Sequence, residues 1–398
     1  MSWKTVTLGD ISSNIQTGPF GSQLHQSDYS EEGTPVVMPK DLVNGHISEA
    51  SIARVSEDHV NRLNRHKIEV GDILYSRRGD VGRCAFATET EEGWLCGTGC
   101  LRVTIDISKA IPKFVFYQLQ KAETVGWVEK HAVGATMLNL NTSILSSVPI
   151  EIPPLAEQQV IVDMLSAYDD LIENNQKQIK LLEEAAQRLY KEWFVDLRFP
   201  GHETTPITDG IPEGWRETTI GDETEVKRGG SPRPIQEYLS DEGLNWLKIS
   251  DATASSSPFI YQIKEKIKPE GLKKTVFMKA GTIILSNSAT PGIPKILKID
   301  TCIHDGWLYF PNLKLSNEYM YHLFLQIRSD LVSRGTGAVF TNLRTDILKK
   351  YRFIRPADHI LELFSKQVKP IFSEIDCLHQ QVLLMTEARD RLLPKLMS

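Results

Sequence analysis

The chain has 398 residues, enough for two or three domains at roughly 150 residues each. Hydrophobic residues make up 41% and charged residues 24%, which excludes a disordered, collagen-like or disulfide-scaffold chain. The net charge of −6 is uneven, since residues 206–357 hold 21 Lys and Arg against 17 Asp and Glu while residues 155–205 hold 5 against 10. An acidic whole can therefore still carry a basic face.

The first 154 residues contain short β-like runs broken by Gly, Pro, Asn and Asp, among them Thr34–Met38, Ile73–Ser76 and Leu101–Ile105. A helical stretch, Pro112–Lys121, is interspersed. After Pro153-Pro154, apolar positions fall at Ile161, Leu165, Tyr168, Ile172, Asn175, Ile179, Leu182, Ala186, Leu189 and Trp193. This alternation of fours and threes predicts one long helix over 157–195, about 58 Å at 1.5 Å per residue. Asn175 occupies the seam, where a polar residue fixes register. Residues 206–357 return to β-like runs, Ile283–Ser286 and Trp307–Phe310, with a helix over Asn317–Ser329. The last segment repeats the seam 203 residues later: Phe364, Val368, Ile371, Ile375, Leu378, Val382, Met385, Arg389, Leu392 and Leu396.

The chain is thus a duplication. Trp3–Asp10 recurs as Trp215–Asp222, Gly71–Ser76 as Gly281–Ser286, and Gly134-Ala135, Asn139-Leu140 and Ile144-Leu145 as Gly337-Ala338, Asn342-Leu343 and Ile347-Leu348. The predicted fold is mixed α/β (α+β). Two similar globular domains, 1–154 and 206–357, alternate with helical segments, 155–205 and 358–398. The two helices pack as an antiparallel coiled coil about a pseudo-twofold. An amphipathic helix packed on a globular core is the alternative for each one.

Enzyme signatures are missing: no P-loop, Gly-x-Gly-x-x-Gly, His-Glu-x-x-His or Gly-x-Ser-x-Gly occurs, so no catalytic residue is assigned. Pro153-Pro154 is not the Asn/Asp-Pro-Pro-aromatic motif of amino-methyltransferases. Cys96 and Cys100, with Cys84 upstream, lack the second pair or nearby histidines that zinc needs, so no metal is expected. The five cysteines read as reduced thiols of a cytoplasmic protein. With no signal peptide expected at Met1–Thr5 and no run of 18 apolar residues, no membrane association is expected either.

Binding candidates are loops. Tyr75–Arg83 places Arg77, Arg78 and Arg83 after a strand, and arginine forks match guanine edges or phosphate. Lys227–Pro234 is a glycine-rich basic loop with Lys227, Arg228 and Arg233. Its uncharged counterpart is Gln16–Ser22, with Gly18 and Ser22. Arg334, Asn342 and Arg344 lie in the second copy of the domain-ending segment, whose alternative role is to cap the helix that starts near its end. Each loop reads equally as a solvated turn. Lys264, Lys266, Lys268, Lys273 and Lys274 form a basic run, more often a solvated face than a groove.

Trp3–Asp10 and its copy, Thr17–Ser22, Gly71–Ser76 and the run from Gly134 through Ile152-Pro153-Pro154-Leu155-Ala156-Glu157-Gln158-Gln159 together resemble the specificity subunits of type I restriction-modification systems. The resemblance covers essentially the whole chain. It implies two target-recognition domains, each reading one half of a bipartite double-stranded DNA sequence. It implies helices that set the spacer and dock two methyltransferase subunits, and no catalysis by this chain. S-adenosylmethionine, ATP and Mg would belong to the methyltransferase and restriction subunits. The second copy departs from the pattern, with Arg355-Pro356-Ala357-Asp358-His359 and no Glu-Gln-Gln. Two other classes stay open: a self-sufficient nuclease or methyltransferase, and a two-headed adaptor that binds proteins.

Overall fold

Each copy of the repeat begins with a strand that returns to meet its own end. Lys4–Thr7 pairs antiparallel with Pro149–Ile152, Lys4 opposite Ile152. Arg216–Thr219 pairs in the same way with Arg352–Arg355, Arg216 opposite Arg355. A reciprocal cap then turns the chain into a short helix. The amide of Thr7 donates to Asp10 at 2.9 Å, and that of Thr219 to Asp222 at 3.0 Å. The computed structural model describes residues 3–134, 137–334 and 342–397, the side chain of Arg334 excepted. It divides into two units, Met1–Glu173 with Val382–Ser398, and Asn174–Gln381.

In the first unit, Ser12–Thr17, Cys100–Ile105, Ile73–Ser76 and Cys84–Phe86 form a sheet in that order. Alternate residues of its central strands feed two cores, as the two-residue strand period requires. Ile73, Tyr75, Leu101 and Val103 enter one, Leu74 and Cys100 the other. A second sheet runs Leu95–Cys96, Thr34–Val37, Ala53–Val55, Tyr29–Ser30. The second unit repeats both sheets, each with one more strand. Its equivalents of the central pair are Ile283–Ser286 and Trp307–Tyr309. The helix Pro112–Leu119 corresponds in place to the longer Asn317–Arg334.

The long helices are Leu155–Phe194 and Asp358–Leu396. Every described seam position is buried or half-buried. Within the second unit the helices run antiparallel, because Asn175 Nδ2 donates to Gln381 Oε1 at 2.9 Å while Trp193 stacks near Phe364. The seam is more than helix against helix. Ile161, Leu165, Leu392 and Leu396 pack into the core of the first globular part. Phe364 joins Tyr190, Phe194 and Tyr319 in an aromatic cluster. Arg389, at a seam position, spends its charge on Asp169.

The two helices start differently. Gln158 Oε1 accepts from the Ile111 amide and its Nε2 donates to the Pro153 carbonyl, both at 2.9 Å. In the second copy Leu361 takes that position, and buried Arg355 donates instead to Glu223, Asp358 and the Pro356 carbonyl.

Glu183 of the first long helix is half-buried, and one of its oxygens has no hydrogen-bond partner among the described residues. Burial pushes its carboxyl up to about 7, and pushes nearby Lys295 down to about 8. A carboxyl raised on folding binds its proton more tightly in the native state, so stability falls as pH rises from the unfolded value toward 7. Glu183→Gln is expected to remove that loss. Urea unfolding at pH 8 should show the variant more stable by about 1–3 kcal/mol, and at pH 4.5 nearly equal to wild type. A variant less stable at pH 8 would show that the Lys295 attraction outweighs desolvation.

Candidate nucleic-acid interface

In the first globular part, four loops separate in sequence meet at one end of the first sheet. The Gly18 amide donates to the Cys100 carbonyl at 2.9 Å. A Cβ on Gly18 would lie 2.0 Å from the Gly97 carbonyl oxygen, so only glycine permits this approach. Arg77 donates its amide to Gly99 and accepts from Leu140, both at 2.8 Å, and Gly79 donates to Leu138 at 3.1 Å. Loops 18–22, 77–83, 97–99 and 137–140 are thereby tied together. Phe20 is 54% exposed, 6.0 Å beneath the Arg77 guanidinium. Arg78 and Ser22 are exposed. Arg77 Nε is buried without a hydrogen-bond partner among the described residues. Arg83 is different: its fork closes on Asp80 at 2.8 and 3.1 Å, which neutralises it.

The second globular part rebuilds this arrangement with other side chains. The Gly229 amide donates to Trp307 at 2.9 Å, and a Cβ there would lie 2.2 Å from the His304 carbonyl oxygen. Asn287 stands where Arg77 does, donating its amide to Gly306 and accepting from Leu343. Ala289 takes the left-handed conformation, φ 57°, that Gly79 takes at 75°. Lys227 and Arg228 form a short strand rather than a loop, paired with Tyr309 and Leu308. Their charges have partners: Lys227 meets Glu225 at 2.7 Å, and Arg228 and Arg233 lie 3.7 and 3.3 Å from Asp305. The Ser231 hydroxyl donates to the same carboxylate at 2.6 Å. Burial raises the Asp305 carboxyl, but these three groups outweigh it and hold it below the usual carboxylate range. The basic loop is thus an arginine pair organised on one acid.

Beside this acid opens a cleft of about 780 Å³, lined by Pro232, Pro234, Ile235, Trp246, Lys248 and His304. Burial pushes the His304 imidazole below its usual value. Its Nδ1 accepts from the Gly306 amide at 2.8 Å, which assigns the proton to Nε2. Nδ1 also lies 3.7 Å from Asp305, but a nitrogen accepting from an amide has no proton to give there. Strand pairing equates Trp246 with Val36 and His304 with Gly97, so the two copies differ at this face.

The last candidates fare unequally. Asn342 is exposed. Arg344 stands at the N-cap position of Thr345–Lys349, but its side chain makes no capping hydrogen bond and its fork closes on Asp346 instead. The Arg334 side chain, Gly337 and Ala338 lie outside the described residues, as do Ala135 and Thr136. In the basic run, Lys268 donates to the Glu237 carbonyl and Lys274 to the Tyr238 hydroxyl.

Residues 1–184 match the type I restriction modification DNA specificity domain. The chain is 27% identical over 380 residues to the type I restriction enzyme MjaIX specificity subunit of Methanocaldococcus jannaschii, covering 91% of this chain and 85% of that one. It is 23% identical to the HindI specificity subunit of Haemophilus influenzae, covering 100% and 99%. The first 184 residues are thus similar to a type I restriction modification DNA specificity domain, and both of these relatives are type I restriction enzyme specificity subunits. The same fold occurs in the crystal structure of the S subunit from M. genitalium, with a TM-score of 0.63 at 17% identity over 100% of this chain and 96% of that one.

Other chemistry finds little footing among the described residues of this chain. Among the described residues no group of His, Cys, Asp and Glu suits a metal ion, and no helix is long and apolar enough to cross a membrane. Burial pushes the Cys84 and Cys96 thiols up to about 12, far from reactive thiolates. Sequence reasoning missed Asp305, Trp246 and His304. No local motif marks Asp305, which lies 72 residues beyond Arg233.

Proposed function

We propose that this chain is the non-catalytic DNA-reading subunit of a type I restriction-modification enzyme. Domains 1–154 and 206–357 each read one half of a bipartite double-stranded target. The segments 155–205 and 358–398 set the spacer and seat two methyltransferase subunits. Restriction subunits complete the enzyme. S-adenosylmethionine, ATP and Mg are bound by those partners, and the assembly works in the cytoplasm. The observation that carries this reading is the twice-built loop face: the same backbone bonds gather Gly18, Arg77 and Gly97 in one copy and Gly229, Asn287 and His304 in the other. A shared frame with different side chains suits two different half-sites. Arg77, Arg78, Ser22, Arg228, Arg233 and Asn342 are the residues we assign to DNA. Unused hydrogen-bonding capacity at Arg77 Nε fits that assignment.

The test is single-molecule methylome sequencing of a host expressing this chain with its neighbouring methyltransferase subunit, against a control without this chain. Adenine methylation at a two-part motif with a fixed unspecified spacer is expected. Arg77→Ala and Arg228→Ala should each weaken DNA binding by about 1–3 kcal/mol while leaving assembly intact, as gel-shift titration at fixed salt would read. Arg228→Ala also leaves Asp305 with one guanidinium fewer to face phosphate. Unchanged affinity in both variants would remove these residues from the interface.

A further inference from the structure

The first long helix carries a second stripe that none of the described residues covers. Val160, Met164, Ala167 and Leu171 repeat the 4-3-4 spacing of the seam, one residue earlier, which turns them about 100° away from it. All four are exposed, Val160 at 61%, Met164 at 43% and Leu171 at 52%. Exposed Asp163 and Asp170 border the stripe. An apolar band of this spacing is a seat for another helix by knobs into holes.

The duplication supplies an internal control. On the second long helix the positions 203 residues later are Leu363, Gln367, Pro370 and Glu374, and the bordering acids become Lys366 and Ser373. On this face Gln367 and Glu374 replace Met164 and Leu171, leaving only Leu363 and Pro370 apolar, and Lys366 stands where Asp163 does.

Resting on the proposed function, we propose that the two methyltransferase seats on this chain are unequal. The stripe Val160–Leu171 holds an amphipathic helix of one methyltransferase subunit, a helix whose apolar face is bordered by Lys or Arg. The corresponding face of the second helix holds the other, identical subunit more weakly. Identical partners meeting different chemistry bind in two steps, and a complex with a single methyltransferase subunit is a stable intermediate.

The experiment titrates the full chain with that methyltransferase subunit and follows stoichiometry by native mass spectrometry and sedimentation. Two steps are expected, the first tighter by about tenfold to a hundredfold. Met164→Glu with Leu171→Glu, at exposed positions, should abolish the tight step and leave the melting temperature of the free chain unchanged. Gln367→Met with Glu374→Leu should tighten the weak step toward the strong one. Equal wild-type steps, or a first step insensitive to M164E with L171E, would overturn the inference while leaving the proposed function standing. No complex with the wild-type chain would overturn both.

Discussion

Phe364→Ala is expected to destabilise the second unit by about 3–5 kcal/mol, the cost of emptying a fully buried aromatic site. The ring is 0% exposed. Its centroid lies 4.9 Å from that of Phe194, 5.9 Å from Trp193, 6.2 Å from Tyr190 and 6.3 Å from Tyr319. Those partners come from the first long helix and from the helix Asn317–Arg334, so one side chain joins both long helices to the second globular part. Neighbouring rings cannot collapse into the space without giving up their tilted and edge contacts. Urea unfolding followed by tryptophan fluorescence checks this, since Trp193 and Trp215 both border the cluster. Phe364→Leu should recover part of the loss. A cost below about 1 kcal/mol would mean that the cluster repacks freely, and that the helix is held by its other contacts. On the proposed function, loss of methylation at the target should follow in the alanine variant, because the second globular part is carried on this unit.

The repeat was legible because its signals are local. A motif of eight residues and a heptad of seven are both read along the chain, so Trp3–Asp10 with its copy Trp215–Asp222 and the 203-residue echo of the seam survive reading in one dimension. The matched strand pairs at Lys4 and Arg216 then follow from the duplication. What sequence alone leaves hidden is tertiary neutralisation. Arg228 and Arg233 read as cations of a basic loop until Asp305, more than 70 residues on, is placed beside them. The seam hides a similar fact, because Ile161 and Leu396 obey the heptad while packing into a globular core. Periodicity marks the face that is buried and is silent about what covers it. Replacement is equally hidden: nothing near Leu361 announces that Arg355 and Glu223 secure the second helix where Gln158 secures the first.

Asp169→Ala is expected to destabilise the first unit by about 2–4 kcal/mol, less than a fully buried ion pair because Lys113 and Arg389 keep about a fifth of their exposure. The carboxylate accepts from the Tyr117 hydroxyl at 2.6 Å and from Arg389 at 2.9 Å, with Lys113 Nζ at 3.6 Å. Burial holds the Lys113 ammonium below its usual value even with this acid present. Remove the acid and the lysine is pressed to shed its proton, which the unfolded chain retains until higher pH. The native state then binds fewer protons, so stability of the variant rises with pH. The deficit should therefore be smaller at pH 9.5 than at pH 7. An equal deficit at both would place the cost in the Tyr117 and Arg389 bonds instead, and Asp169→Asn, which can still accept from Tyr117, would separate those two. The second unit repeats the chemistry: Tyr261 donates to Asp376 at 2.9 Å and Lys298 pairs with it at 2.6 Å. Yet the 203-residue counterpart of Asp169 is Phe372, and that of Asp376 is Glu173. The two clamps are therefore not copies of each other. A tyrosine and a lysine close on a helix carboxylate at non-corresponding positions, so each globular part is tied to a long helix by its own residues.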